Sequence, residues 1–144
     1  MSCGRPVLVV PYAWHFPDAG KRVLIAWNAS PEASRAVSDA LPLLARAERV
    51  NVVVFAPGPA GDHGEEPGAD AALYLARHGV KAAVSRYGSP GLDIGSQILS
   101  RAADMNVDLI VMGAYGHSRI RELVLGGATR TLLESMTAPV LMSR

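Results

Sequence analysis

From Lys21 onward, short apolar runs of β type alternate strictly with helical patterns. Arg22 to Trp27, Val50 to Phe55, Val80 to Tyr87, Leu109 to Met112 and Ala138 to Ser143 read as strands, with one helix in each gap. The order β-α-β-α-β-α-β-α-β predicts a parallel sheet with helices on both faces, because each crossover is right-handed and returns over one face. In such sheets ligands bind beyond the strand C-terminal ends, where the strand order reverses. Two exits are rich in glycine and polar residues: Asn28-Ala29-Ser30 after the first of these strands and Gly113 to Gly116 after the fourth. If those strands are neighbours, the order counted from Lys21 is 3-2-1-4-5 and both loops face one crevice.

The local signals support these assignments. Ser30 is placed to cap a helix whose first position is Pro31, and Ala33, Val37, Leu41 and Leu44 share one face of it. Pro42 is expected to kink that helix. Residues Pro57 to Gly68, with three prolines and four glycines, read as an irregular loop. Asp70 to His78 suits a short helix stopped by Gly79. Val80 to Tyr87 alternates as an edge strand does, Gly88 to Gly91 is a turn, and Ile94, Ile98, Ala102 and Met105 mark a helix face ending at Asn106. Ahead of this pattern, Arg5 to Pro11 is a short apolar run between prolines, an expected edge strand. The chain therefore divides into an extra strand and linker over residues 1–20 and an α/β domain over 21–144.

Length and composition exclude more than they identify. A chain of 144 residues with 49% apolar and 19% charged residues is ordinary for one globular domain. A formal net charge of +1 gives no electrostatic case for nucleic acid or an anionic membrane as partner. No apolar run approaches the roughly 18 residues of a membrane span, and no signal-peptide pattern is evident. The single cysteine, Cys3, cannot form an internal disulfide, which fits a reducing, cytoplasmic setting. The histidines at 15, 63, 78 and 117 lack metal-ligand spacing, so no metal site is predicted.

The most informative stretch runs from Asp108 to Leu133. A buried strand ends at Gly113, a loop carries Gly116, His117, Ser118, Arg119 and Arg121, and the cluster Gly126-Gly127-Ala128-Thr129 leads into a helical pattern. A strand, a glycine-rich loop and a helix start make an anion site, because helix-terminal N–H groups point at the ligand and glycine lets phosphate come close. There is no Gly-x4-Gly-Lys-Ser/Thr and no Gly-x-Gly-x-x-Gly, so neither a P-loop nor a dinucleotide fold is indicated. His117 and Ser118 are adjacent, a poor arrangement for a nucleophile and its base. Arg119 and Arg121 are either a surface pair or phosphate contacts, and Arg130 is open in the same way. Trp27 and Tyr115 read as packing residues.

The spacing Gly113-x2-Gly116-x9-Gly126 resembles the nucleotide-binding signature of the universal stress protein family. Val23 to Ser30 followed by a helix, and Ala138-Pro139-Val140-Leu141 near the end, fit the same pattern, so the resemblance covers about Arg22 to Ser143. It implies an adenine nucleotide α-hydrolase-like, five-stranded parallel sheet, a homodimer through the last strand and, in nucleotide-binding members, ATP with or without Mg²⁺. Carried over by position, Met112, Gly113, Gly116, His117 and Arg119 form the loop near ribose and phosphates. Gly126 matches the glycine at the phosphate-binding helix start, followed by Gly127, Ala128 and Thr129. Asn28 and Ala29 form the second wall, and the strand around Val53 and Val54 lies near adenine. The chain departs from the family at Gly127, where a hydroxyl residue is usual, and at Asn28, where Asp is common. Thr129 is placed to restore the hydroxyl.

The resemblance also bears on the N-terminal run, since Pro6-Val7-Leu8 echoes Pro139-Val140-Leu141. Tandem members have such a strand at the end of their first half. Arg5 to Pro11 is thus expected to pair with the edge of the last strand, within its own subunit or swapped into a partner. The reading is a cytoplasmic, dimeric domain that binds ATP as a regulatory ligand with little or no hydrolysis, since no general base or metal carboxylate stands out. The rivals are an interaction module of the same fold that binds no nucleotide, favoured by Gly127 and Asn28, and a slow ATPase or phosphotransferase.

Overall fold

The computed structural model describes residues 4–13, 18–55, 68–114 and 119–144, with the side chains of 119–126 not included. In chain order the elements are β1 (Val7–Val9), β2 (Arg22–Trp27), α1 (Pro31–Leu44), β3 (Arg49–Phe55), α2 (Ala69–Arg77), β4 (Ala82–Tyr87), α3 (Ile94–Asp104), β5 (Leu109–Gly113), α4 (Arg119–Ser135) and β6 (Val140–Ser143). The six strands form one sheet in the order β1-β6-β5-β2-β3-β4. All pairings are parallel except β1 on β6, which is antiparallel. Leaving β1 aside, the arrangement is the 3-2-1-4-5 order expected from the alternation of elements. The extra N-terminal strand also forms, on the outer edge of β6 and within the same chain.

The central strands are apolar throughout because both of their faces are covered. Val23, Ile25 and Trp27 of β2, Val50, Val52 and Val54 of β3, and Leu109 and Val111 of β5 join one core with residues of α1 and α2. The alternate positions Leu24, Val53, Phe55, Ile110 and Met112 join a second core, which α3 and α4 complete with Ile98, Ala102 and Leu132. Each such aliphatic side chain contributes about 1.5–3 kcal/mol on burial, so these strands and their helices hold one another in place. The buried face of α1 is mostly small, with Ala33, Ala36, Val37, Ala40 and Leu44, which lets the helix lie close to the sheet. Leu41 is only partly buried. Pro42 falls in the last turn, where its missing N–H deprives the Ser38 carbonyl of its intrahelical donor, and the helix ends two residues later.

A side chain far away in sequence fixes where β2 begins. Asp108 accepts backbone hydrogen bonds from Gly20 (3.1 Å), Lys21 (3.1 Å) and Arg22 (2.9 Å), while its own N–H donates to the Arg22 carbonyl at 3.0 Å. The start of β2 is thereby tied to the start of its neighbour β5. At the opposite edge, β4 is largely exposed, as its alternating sequence predicts.

The last helix departs from the expectation. The sequence pattern points to the glycine pair at 126 and 127 as its start, yet α4 begins at Arg119. The run from Arg119 to Leu125 consists of helix-compatible residues with apolar Ile120, Leu123 and Val124 at helical spacing. A glycine inside a helix costs only about 1 kcal/mol, so two do not have to end one. The loop expected over Pro57 to Gly68 lies, up to Pro67, outside the described residues.

Candidate functional site

The reversal of strand order falls between β2 and β5, and the loops leaving both strands emerge side by side. Ala26 lies opposite Met112, and Trp27 lies opposite Val54 on the other flank. Asn28 and Ala29 therefore stand beside the ends of β5 and β3. Gly113, in turn, lies opposite Ser143 at the end of β6. Asn28, Ala29, Val54, Met112 and Gly113 are thus brought to one end of the sheet, as their assignment to one crevice requires.

The β2 exit is a tightly organised turn. The Asn28 side-chain oxygen accepts the Ser30 N–H at 3.1 Å and the Ser30 hydroxyl at 2.6 Å. Ser30 in turn accepts the Ala33 N–H at 3.1 Å and caps α1. Ala29 between them has a φ of 57°, a left-handed conformation uncommon for a residue with a Cβ and stabilised here by the turn around it. The first turn of α1 is consequently a poor anion site. Pro31 has no N–H, the Ala33 N–H is used by Ser30, and the Ser34 N–H bonds the Ser30 carbonyl.

Gly113 has a structural task at this point. A Cβ placed on it would stand 2.6 Å from the Ala33 nitrogen and 2.8 Å from the Glu32 Cβ. The first turn of α1 thus sits directly over the end of β5, an approach only glycine permits. Glu32 itself is buried there, and so is Ser143, whose hydroxyl donates to Asp39 at 2.7 Å. Met112 and Val54 contribute through their backbones, because both side chains are buried in the two cores.

The other wall is built differently from the expectation. Gly126, Gly127, Ala128 and Thr129 lie within α4, so their N–H groups belong to a helix interior rather than to its first turn. Gly127 is exposed, while Ala128 and Thr129 are buried. The helix N-terminus, with its partial positive charge, stands at Arg119 instead, directly after the loop that follows Gly113. Gly116 and His117 lie outside the described residues, and the Arg119 side chain is not described.

Two residues here escaped the sequence reading. Gly95, on α3, would place a Cβ 2.8 Å from the Ala128 carbonyl and 2.7 Å from the Thr131 Cβ, so it sets how closely α3 crosses α4. Asp93 caps α3 by accepting the Ser96 N–H at 2.9 Å and accepts the Thr131 hydroxyl at 3.2 Å. Ser96, through its side chain and its backbone N–H, holds the Asp93 carboxyl below its ordinary value of 3.8. The sequence signal for the cap was present, an Asp just before the apolar pattern starting at Ile94.

The model of the universal stress protein family matches residues 20–144. The chain belongs to the universal stress protein family. Among curated members, universal stress protein Slr1230 of Synechocystis is 51% identical over 41 residues, which is 28% of this chain and 14% of that protein. The chain thus matches only a small part of that relative's length. Among solved structures, a universal stress protein from Archaeoglobus fulgidus DSM 4304 superposes with a TM-score of 0.74 at 18% identity, over 96% of this chain and 49% of that one. A universal stress protein family protein from Arabidopsis thaliana with AMP bound gives a TM-score of 0.55 at 14% identity, over 85% and 90% of the two chains. A universal stress protein in complex with cAMP gives 0.58 at 17%, over 86% and 97%. At these identities the likeness shows a shared universal stress protein fold. Among the described residues, no helix is long and apolar enough to cross a membrane.

Proposed function

We propose that this universal stress protein domain binds ATP as a regulatory ligand in the crevice beyond β2 and β5, with little or no hydrolysis. The observation that carries this reading is the convergence of the Asn28–Ser30 turn and Gly113 at the reversal of strand order, the position where open α/β sheets take their ligands. The adenine nucleotides in the family structures with AMP and cAMP support the choice of ligand class. Phosphates are assigned to the Gly116–Arg119 segment and the N-terminus of α4, where the helix dipole favours negative charge. Adenine is assigned to the side of Val54. Among the described residues the crevice offers the Asn28 carboxamide, the Ser30 hydroxyl and backbone amides, chemistry suited to holding a ligand. A cytoplasmic setting, where ATP is made, fits that ligand.

The test is a thermal shift of the purified chain with millimolar ATP, with and without Mg²⁺, together with mass analysis of any nucleotide that co-purifies. Saturation to about 100 times Kd stabilises the folded state by about 2.7 kcal/mol, a clear rise in Tm. Unchanged melting and an empty purified sample overturn the reading.

A second reading, an interaction module that binds no nucleotide, has two observations in its favour. Gly126 and Gly127 lie inside α4, which withdraws their N–H groups from a phosphate. The Asn28 carboxamide oxygen is already engaged by Ser30. Stable folding of the chain with no response to ATP, ADP or AMP selects this alternative.

A further inference from the structure

A cavity of about 440 Å³ lies between α1 and α2, within the range of roughly 300–1,000 Å³ typical of small-molecule sites. Its apolar lining is Trp27, Val37 and Ala71, all buried. The Trp27 ring belongs to the core shared with these two helices, not to the crevice beyond the strand ends. Trp27 is 6% exposed, yet its indole N–H has no hydrogen-bond partner among the described residues. Leaving a buried donor unmatched is costly, and a group seated in the cavity relieves that cost. The rest of the lining is polar. Ser34 and Ser38 come from α1, one turn apart, and Asp70 and Tyr74 come from α2, also one turn apart. The Tyr74 hydroxyl donates to Ser38 at 3.3 Å and joins the two helices, while His78 packs on the Tyr74 ring at 4.4 Å. Two charged residues line the cavity. Arg35 donates to the Arg144 carbonyl at 2.8 Å, just past the end of β6. Asp70 uses one oxygen to accept the Ala71 N–H at 2.9 Å, and its other oxygen has no partner among the described residues.

We propose that this cavity is a second small-molecule site, which takes a small organic cation with an apolar body, of the class of protonated aromatic amines. Asp70 supplies the charge. No ion pair joins it to Arg35, whose guanidinium is drawn to Arg144, so the carboxylate is left to an incoming cation. Tyr74 adds the attraction of an aromatic ring for a positive charge. The apolar body of the ligand rests on Trp27, Val37 and Ala71, where its burial supplies most of the affinity. The Trp27 N–H and the Ser34 hydroxyl remain for an acceptor on the ligand or for a water carried in with it. An anion of the same shape is repelled by Asp70. The site draws on neither Gly113 nor α4, so this proposal stands or falls independently of nucleotide binding in the crevice.

The test uses the full chain with Trp14→Phe, which leaves Trp27 as the one tryptophan. Its emission is followed during titration with phenethylamine, 2-phenylethanol and phenylacetate, which share an apolar body and differ in charge. Phenethylamine is expected to shift the emission with a Kd on the order of 1 mM, and phenylacetate to bind at least about tenfold more weakly. Asp70→Asn is expected to weaken the amine at least about threefold and to leave the alcohol unchanged. Ser34→Phe and Ser38→Phe together fill the cavity from α1 and are expected to abolish the response to all three compounds. Both serines are exposed, so the core packing is left intact. The proposal is overturned if none of the compounds alters Trp27 emission up to about 10 mM. Equal binding of amine and carboxylate overturns it too, as does a folded Asp70→Asn chain that binds the amine as tightly as its parent.

Discussion

A Cβ on Gly113 would stand 2.6 Å from the backbone nitrogen of Ala33, which makes the end of β5 and the first turn of α1 a single packed unit. The obstacle is backbone, not the end of a flexible side chain, so Gly113→Ala must displace the α1 terminus or β5. The expected cost is about 1–3 kcal/mol, as for other overpacked sites. Chemical denaturation measures it directly. An unchanged midpoint would show that α1 is not seated on β5 in this way.

Asn28 orders the turn that forms one wall of the crevice, since its side-chain oxygen accepts both the N–H and the hydroxyl of Ser30. Asn28→Ala removes both bonds and loosens the Ser30 cap on α1, with an expected loss of about 1 kcal/mol. Asn28→Asp keeps both acceptors and adds a charge at the crevice. It is expected to leave stability within about 0.5 kcal/mol and to strengthen binding of ATP in the presence of Mg²⁺ more than in its absence. Titration calorimetry on the two variants separates the structural role from the ligand role.

Asp108 gathers the backbone N–H groups of Gly20, Lys21 and Arg22. Replacing it with Ala leaves those donors to water or to none, at an expected cost of about 1–3 kcal/mol. Hydrogen exchange locates the effect: protection of these three amides falls first, while β3 amides keep theirs. Equal loss across the sheet would mean the clamp does not act locally.

The sheet order was legible because five apolar runs alternate with helical patterns, and both-face burial leaves few other ways to arrange them. The Ser30–Pro31 helix start was legible for a local reason, as its hydrogen bonds span three residues. The Asp108 clamp and the Gly95–Ala128 crossing were not, because their partners lie far apart in the chain and nothing in a linear pattern marks the pairing. The Pro-Val-Leu echo pointed to β1 on β6 but left own-chain and swapped pairing equivalent, since both make the same ladder. The start of α4 was not legible because Gly126-Gly127 is strong punctuation in isolation, while the residues before it propagate a helix through it.

Asp93 links the start of α3 to Thr131 of α4. Its folded-state pKa lies below the ordinary 3.8, chiefly through Ser96. A carboxyl depressed on folding adds stability that is complete above the unfolded value and is lost as pH falls through the folded one. Asp93→Ala is therefore expected to cost about 1 kcal/mol at neutral pH. The gap between variant and parent should narrow as pH drops below 3.8. Urea unfolding at several pH values reads this out, and a gap that stays constant into acid would rule out a charge-dependent cap.

Gly127 discriminates between the two placements of the α4 start. In a helix running from Arg119, residue 127 is interior and exposed, and a Cβ there would meet nothing within 4 Å. Alanine has higher helix propensity than glycine because it loses less backbone entropy, so Gly127→Ala is expected to stabilise the chain by about 0.5–1 kcal/mol. If the helix began instead at the glycine pair, with residue 127 shaped to approach a phosphate, the same change would be neutral or destabilising and would weaken ATP binding. Thermal melting with and without ATP gives both readings. A rise in Tm with unaltered nucleotide response places the phosphate contacts nearer Arg119, whereas a fall in either quantity restores the glycine pair as the cradle.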